Sequence, residues 1–164
     1  MQARTVSPLS RAGGFTLVEL MIVVVIVTIL LSIAVPSYMS SIRESRRTDA
    51  RTALLDLAGR EESYNASMNA YTSTSTNLGY LAFPASVGSG YYTITVACFA
   101  AYGAALACDP NANPPAGPSY YLTATPVAGT SQASDTQCTS FSVDSQGNQF
   151  STGTAPTTTC WSSQ

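Results

Sequence analysis

Few side chains in this sequence could do chemistry. It contains no His and no Lys. That removes a His general base, a Ser–His–Asp triad and any His-containing zinc site. Four cysteines remain: Cys98, Cys108, Cys138 and Cys160. They could form disulfides or a four-thiolate zinc site, but no two are spaced Cys-x-x-Cys. An even count in an exported domain favours disulfides and leaves three pairings open. No base–nucleophile pair and no P-loop is present, so the sequence does not read as an enzyme and implies no cofactor or metal.

The charges are unevenly placed. All seven Arg lie at or before Arg60 in a chain of 164 residues. Residues 1–62 carry those seven and six acids, and the remainder carries only Asp109, Asp135 and Asp144. With no base after Arg60, the last hundred or so residues cannot make the cationic patch that holds phosphates, and strong nucleic-acid binding is not expected. Arg43, Arg46, Arg47 and Arg51 cluster in one stretch, with Glu44 and Asp49 among them. No aromatic platform is interleaved, so the cluster reads as a solvated helix face meeting lipid headgroups or other subunits. The 22 Ser and 20 Thr make much of the rest hydroxylated and uncharged.

One carboxylate stands apart. Phe15–Val35 is a 21-residue apolar run whose only charge is Glu19. About 20 such residues span a bilayer as a helix. Arg4 and Arg11 precede it, which keeps that end cytoplasmic and places the rest outside. A secretory signal peptide is the ordinary alternative, and Ser32-Ile33-Ala34 resembles its cleavage site. The run exceeds the usual h-region of about 7–15 residues, however, and such a peptide has no use for Glu19.

The junction Gly13-Gly14-Phe15-Thr16-Leu17-Val18-Glu19-Leu20 resembles the processing site of type IV prepilins. The resemblance implies cleavage after Gly14 by a membrane-embedded prepilin peptidase, which then N-methylates Phe15. Gly13 stands where many members carry a base. Cleavage would create an ammonium on Phe15 at the positive end of a helix, and Glu19 lies one turn on. An unpaired carboxylate in lipid seeks a cation or snorkels to the interface. Its own N-terminus is one partner; the resemblance implies another, the N-terminal amine of a neighbouring subunit, which would set the register of assembly.

The elements that must position these groups follow from periodicity. Pro36 predicts a kink or loosening, but helical spacing continues to Met68. Ala50, Ala53, Leu54, Leu57, Tyr64, Met68 and Tyr71 form one apolar stripe suited to a sheet. Asp56 and Arg60 are a favourable i, i+4 pair. A helix over residues 15–68 would be about 80 Å long. Residues 71–90 read as a long connection. Period-two alternation predicts strands over Tyr91–Ala97, Tyr120–Thr125 and Thr139–Asp144, then a turn at Ser145–Asn148 and a short strand near Phe150. Asp109–Pro118 reads as a turn-rich loop. Asn65-Ala66-Ser67 matches a glycosylation sequon, a weak signal.

The stem segment Ala34-Val35-Pro36-Ser37-Tyr38 and the ending Cys138, Phe141-Ser142-Val143-Asp144, Gly147, Cys160-Trp161 look like the PilE-type minor pilins. The implied fold is α+β: a long N-terminal α-helix packed against a small antiparallel sheet head with disulfides. The resemblance also implies that Cys138 and Cys160 enclose a C-terminal loop; by the chain-entropy account a loop of about 23 residues gives roughly 3 kcal/mol. Cys98 and Cys108, outside the shared pattern, are expected to pair as an extra staple. The expected divisions are a leader at residues 1–14, a membrane and filament-core helix at 15–35, an amphipathic stem at 36–70 and the head at 71–164.

The implied function is a structural subunit of a type IV pilus, most plausibly a minor pilin in pilus assembly, twitching motility and adhesion. Its implied partners are other pilins, the prepilin peptidase/methyltransferase, an inner-membrane assembly platform and lipid before assembly. It would sit in the inner membrane first and in an extracellular pilus afterwards. A pseudopilin of a type II secretion system and a pilin of a DNA-uptake pilus are the alternatives.

Overall fold

The computed structural model describes residues 14–101, 104–105 and 119–162. The chain divides into two compact units, Met1–Ser40 and Ser41–Gln164. Helix α1, Leu17–Met68, runs through Pro36. In the first unit the helix is apolar and exposed, and its most apolar window has a mean hydropathy of 3.0. Its hydroxyls are satisfied locally: Thr28 Oγ1 donates to Val24 O at 2.8 Å and Ser32 Oγ to Ile29 O at 2.7 Å. Such bonds satisfy a hydroxyl on a helix without recourse to water.

In the second unit, α1 ends in a left-handed residue, Asn69 at φ 56°, whose N–H donates to Asn65 O at 2.7 Å. Asn is among the few non-glycine residues that take this conformation readily, which makes it a helix stop. The sheet comprises β1 (Ala85–Val87), β2 (Tyr92–Ala101), β3 (Ala104–Ala105), β4 (Ser119–Pro126), β5 (Ser140–Asp144) and β6 (Gln149–Thr152). Its order is β1-β2-β4-β5-β6, all antiparallel, with β3 paired to β2. A short helix, α2 (Thr157–Trp161), follows.

Alternation places one sheet face on the helix. Ala50, Leu54 and Leu57 of α1 are fully buried with Tyr92, Ile94, Leu122, Ala124 and Phe141. Each large apolar side chain buried this way contributes about 1.5–3 kcal/mol. The architecture is α+β, as expected. Three details differ from the sequence reading. The supposed connection over residues 71–90 holds strand β1 and two 3₁₀ turns, at Ser75–Leu78 and Gly88–Gly90. Met68 is exposed rather than part of the apolar stripe, because the helix ends there. And the buried face of α1 includes two charged residues, Arg51 and Glu61.

The turn between β5 and β6 is built on Asp144. Its Oδ1 accepts the N–H groups of Gln146 at 2.9 Å and Asn148 at 2.8 Å, and Gly147 takes φ 78°. An Asp that bonds the backbone two residues on, followed by a glycine at positive φ, makes such a turn from local chemistry alone.

Candidate assembly site and disulfide region

At the start of the described chain, Gly14 and Phe15 are exposed, Phe15 at 82%. Thr16 caps α1: its Oγ1 accepts the Glu19 N–H at 3.2 Å. Thr16-x-x-Glu19 is thus a capping pattern, a signal carried by the sequence itself. It puts Glu19 in the first turn, where the helix dipole favours an acid. Residues 14–40 are all exposed.

The opposite end of the chain is tied down. Cys138 and Cys160 form a disulfide and both are buried. Cys98 is also disulfide-bonded, and Cys108, its expected partner, lies outside the described residues. Around Cys138–Cys160 the arginine cluster turns inward, which corrects the reading of it as a solvated face. Arg47 makes a two-pronged ion pair with Asp135, with both contacts at 2.7 Å, and donates to Gln137 Oε1. Arg51 is 7% exposed and donates to the carbonyls of Cys160 and Ser162 and to Thr48 Oγ1. Arg46 lies 3.5 Å above the Tyr91 ring and donates to Ser131 Oγ. Apart from Thr48 and Tyr91, these partners sit 85–111 residues away, so spacing along the sequence carried no sign of them.

The electrostatics follow from this wiring. Burial alone would raise the Asp135 carboxyl, but Arg47 and the N–H groups of Cys138 and Gln137 outweigh it and hold the group below the usual carboxylate range. Burial lowers the Arg51 guanidinium, against the raising effect of the Glu44 carboxylate. Burial pushes the Tyr92 hydroxyl up to about 12, and it accepts from Gln132 Nε2 at 2.9 Å. Trp161 closes the region: its Nε1 donates to Phe150 O at 2.8 Å, and its ring meets Phe141 edge-on. None of this is a catalytic constellation. Among the described residues no three His, Cys, Asp or Glu side chains gather as metal ligands.

A second buried acid lies under the connection after α1. Glu61 is fully buried; its Oε2 accepts the Thr72 N–H at 3.1 Å, and Oε1 has no hydrogen-bond partner among the described residues. Burial pushes its carboxyl up to about 7, against the lowering effect of Thr72. Its neighbour Glu62 accepts from the hydroxyls of Tyr71 and Tyr120.

Comparison with known proteins decides the family. Residues 9–35 match the prokaryotic N-terminal methylation motif, and residues 36–142 match the family described as type IV minor pilin ComP, DNA uptake sequence receptor. The chain belongs to this type IV minor pilin family.

Relatives of this pilin include the type IV major pilin protein PilA of Myxococcus xanthus, 36% identical over 43% of this chain and 32% of that protein. The type IV wide pilus major component PilA4 of Thermus thermophilus is 34% identical over 47% of this chain and 61% of its own length. The type II secretion system core protein G of Pectobacterium carotovorum is 35% identical over 42% and 44%. The pilin's matches thus span between a third and three fifths of these relatives' own length. The Gly14–Phe15 bond lies inside the stretch that matches the methylation motif.

Proposed function

We infer that this pilin is a minor filament subunit, cut between Gly14 and Phe15, N-methylated on Phe15 and incorporated beside other pilins. One observation carries the reading: residues 14–40 are apolar-rich and all exposed, while Ala50, Leu54 and Leu57 farther along α1 are buried on the sheet. An uncovered apolar helix needs lipid first and other helices afterwards. Residues 15–35 form the bilayer and core segment, and the head faces outward. Glu19 sits where the amine of a neighbouring subunit would neutralise it and fix the axial register. Pro36 marks where the helix leaves the apolar layer. A prepilin peptidase, an assembly platform and the inner membrane are the partners of that route, and pilus-dependent motility and adhesion its outputs. The role is structural rather than catalytic.

Intact mass and N-terminal sequencing of the membrane-extracted protein test this directly. A chain beginning at N-methyl-Phe15 is the expected result; one beginning at Val35 would make the apolar run a signal peptide.

A second reading, reception of DNA, is favoured by the description of the matched family. Against it, the two most buried arginines of the cluster are bound internally and no base follows Arg60. Binding of duplex DNA by the purified protein, falling steeply as salt rises, would establish it. The likeness to core protein G makes secretion the third test: loss of exoprotein release on gene deletion, with pili intact, would indicate a pseudopilin.

A further inference from the structure

An open groove of about 440 Å³ lies between the last turns of α1 and the 3₁₀ turn Ser75–Leu78. Its volume falls in the range of small-molecule sites. Three of its lining residues, Arg60, Ser63 and Tyr64, occupy i, i+3 and i+4 on one helix face, next to the apolar face of Leu54 and Leu57. Because that face is polar, the turn docks beside it without closing on it.

The groove is pre-shaped. Arg60 is pinned by Nε to Asp56 at 2.8 Å and by Nη1 to Leu78 O at 3.0 Å, and its guanidinium lies 5.3 Å from the Tyr80 ring centre. Gly79 makes room for it: φ is +77°, and a Cβ there would come within 2.6 Å of Nη1. Asn77 Nδ2 donates to the Tyr64 hydroxyl at 3.3 Å, joining the two walls. Several groups are left over. Among the described residues the hydroxyls of Ser63 and Thr76 and the Nη2 of Arg60 have no hydrogen-bond partner.

The charge and hydrogen-bonding character select the ligand. Arg60 is the sole charged residue lining the groove, and Asp56 already neutralises it. An anion or a nucleic acid strand would therefore gain little there. An apolar ligand would strand the hydroxyls and the amide, each costly to leave unmade. A polyhydroxylated ring offers donors and acceptors on its edge and C–H groups on its face to the half-buried Tyr64 ring. We propose that this groove binds one pyranose unit of a neutral glycan. The lining residues fall between Arg60 and Gly79, outside the 15–35 segment assigned to the filament core.

The test uses the full chain in a detergent without a sugar headgroup. Saturation-transfer NMR is run with the methyl glycosides of glucose, galactose and N-acetylglucosamine, and with glucuronate and methyl phosphate as comparators. The expected result is binding of at least one neutral glycoside with a dissociation constant of about 1 mM, insensitive to salt. N77A, T76V and Y64F should each weaken it by about fivefold, while T93V on the sheet leaves it unchanged. Retention of the Cys138–Cys160 disulfide and of the far-UV dichroism shows that each variant is folded. Absence of binding by all three glycosides overturns the proposal. So does equal binding by the groove variants, or a salt-sensitive preference for glucuronate or methyl phosphate.

Discussion

Arg47 reaches across 88 residues of sequence to hold Asp135 with both of its prongs, Nε to Oδ2 and Nη2 to Oδ1. The pair links the amphipathic half of the long helix to the segment that enters the disulfide loop. Asp135 also receives Gln132 Nε2 at 3.0 Å and the N–H of Gln137 at 3.2 Å, so one carboxylate organises a turn and a helix contact together.

Removing one partner of this pair should cost more than the pair itself contributes. Asp135 is 2% exposed, so Arg47→Ala strands a buried charge, and about 3 kcal/mol of stability should be lost. Denaturant unfolding of R47A, D135N and the double variant measures it, and the double variant should lose less than the sum of the two. The Asp135 carboxyl is held below its unfolded value, so this contribution is full above the ordinary carboxylate pKa and fades as pH falls through the folded value.

Glu61 gives the opposite slope. Its carboxyl is raised from 4.5 to about 7 in the folded head. The unfolded chain therefore gives up this proton first as pH rises, and stability should fall between about pH 4.5 and 7 and then level off. The loss from this residue should approach about 3.5 kcal/mol, at about 1.4 kcal/mol per unit. A melting-temperature series against pH should show the slope in the wild type, and E61Q should flatten it.

Opening the C-terminal disulfide should loosen the end of the chain first. Cys138→Ser with Cys160→Ser should cost about 3 kcal/mol by the chain-entropy account. Trp161 packs edge-on against Phe141 beside Cys160, so its fluorescence should report the change before the far-UV dichroism does.

Processing and assembly should separate genetically. Gly14→Asp should leave the leader on, detectable as added mass in the membrane fraction. Glu19→Ala should yield a chain that begins at Phe15 but is depleted from sheared filaments. Normal incorporation of E19A would remove the register role and leave Glu19 as a helix-start acid beside Thr16.

The sheet was legible because alternation is a local property. Tyr92, Ile94, Leu122, Ala124, Phe141 and Val143 all face inward, as the period-two pattern required. The turn on Asp144 and Gly147 was legible for the same reason. β1 was not: Ala85–Val87 is three residues long, and its pairing with Tyr92–Ile94 is a tertiary choice that so short a run cannot announce. The inward turn of Arg47 and Arg51 was hidden because their acceptors are carbonyls and a lone acid far along the chain. Glu61 was hidden differently. Its helical position places it on the stripe with Leu54 and Leu57, yet a carboxylate is ordinarily assigned to solvent.

Arg51 spends its guanidinium on the carbonyls of Cys160 and Ser162, residues made more than a hundred positions after it. Synthesis runs from the N-terminus, so Arg51 is made long before the two carbonyls that receive it. The strands that cover Ala50 and Leu54 come earlier than residues 157–162. In the order of synthesis the apolar part of this helix face can therefore be covered first, and the cation beside it gains its carbonyl partners last.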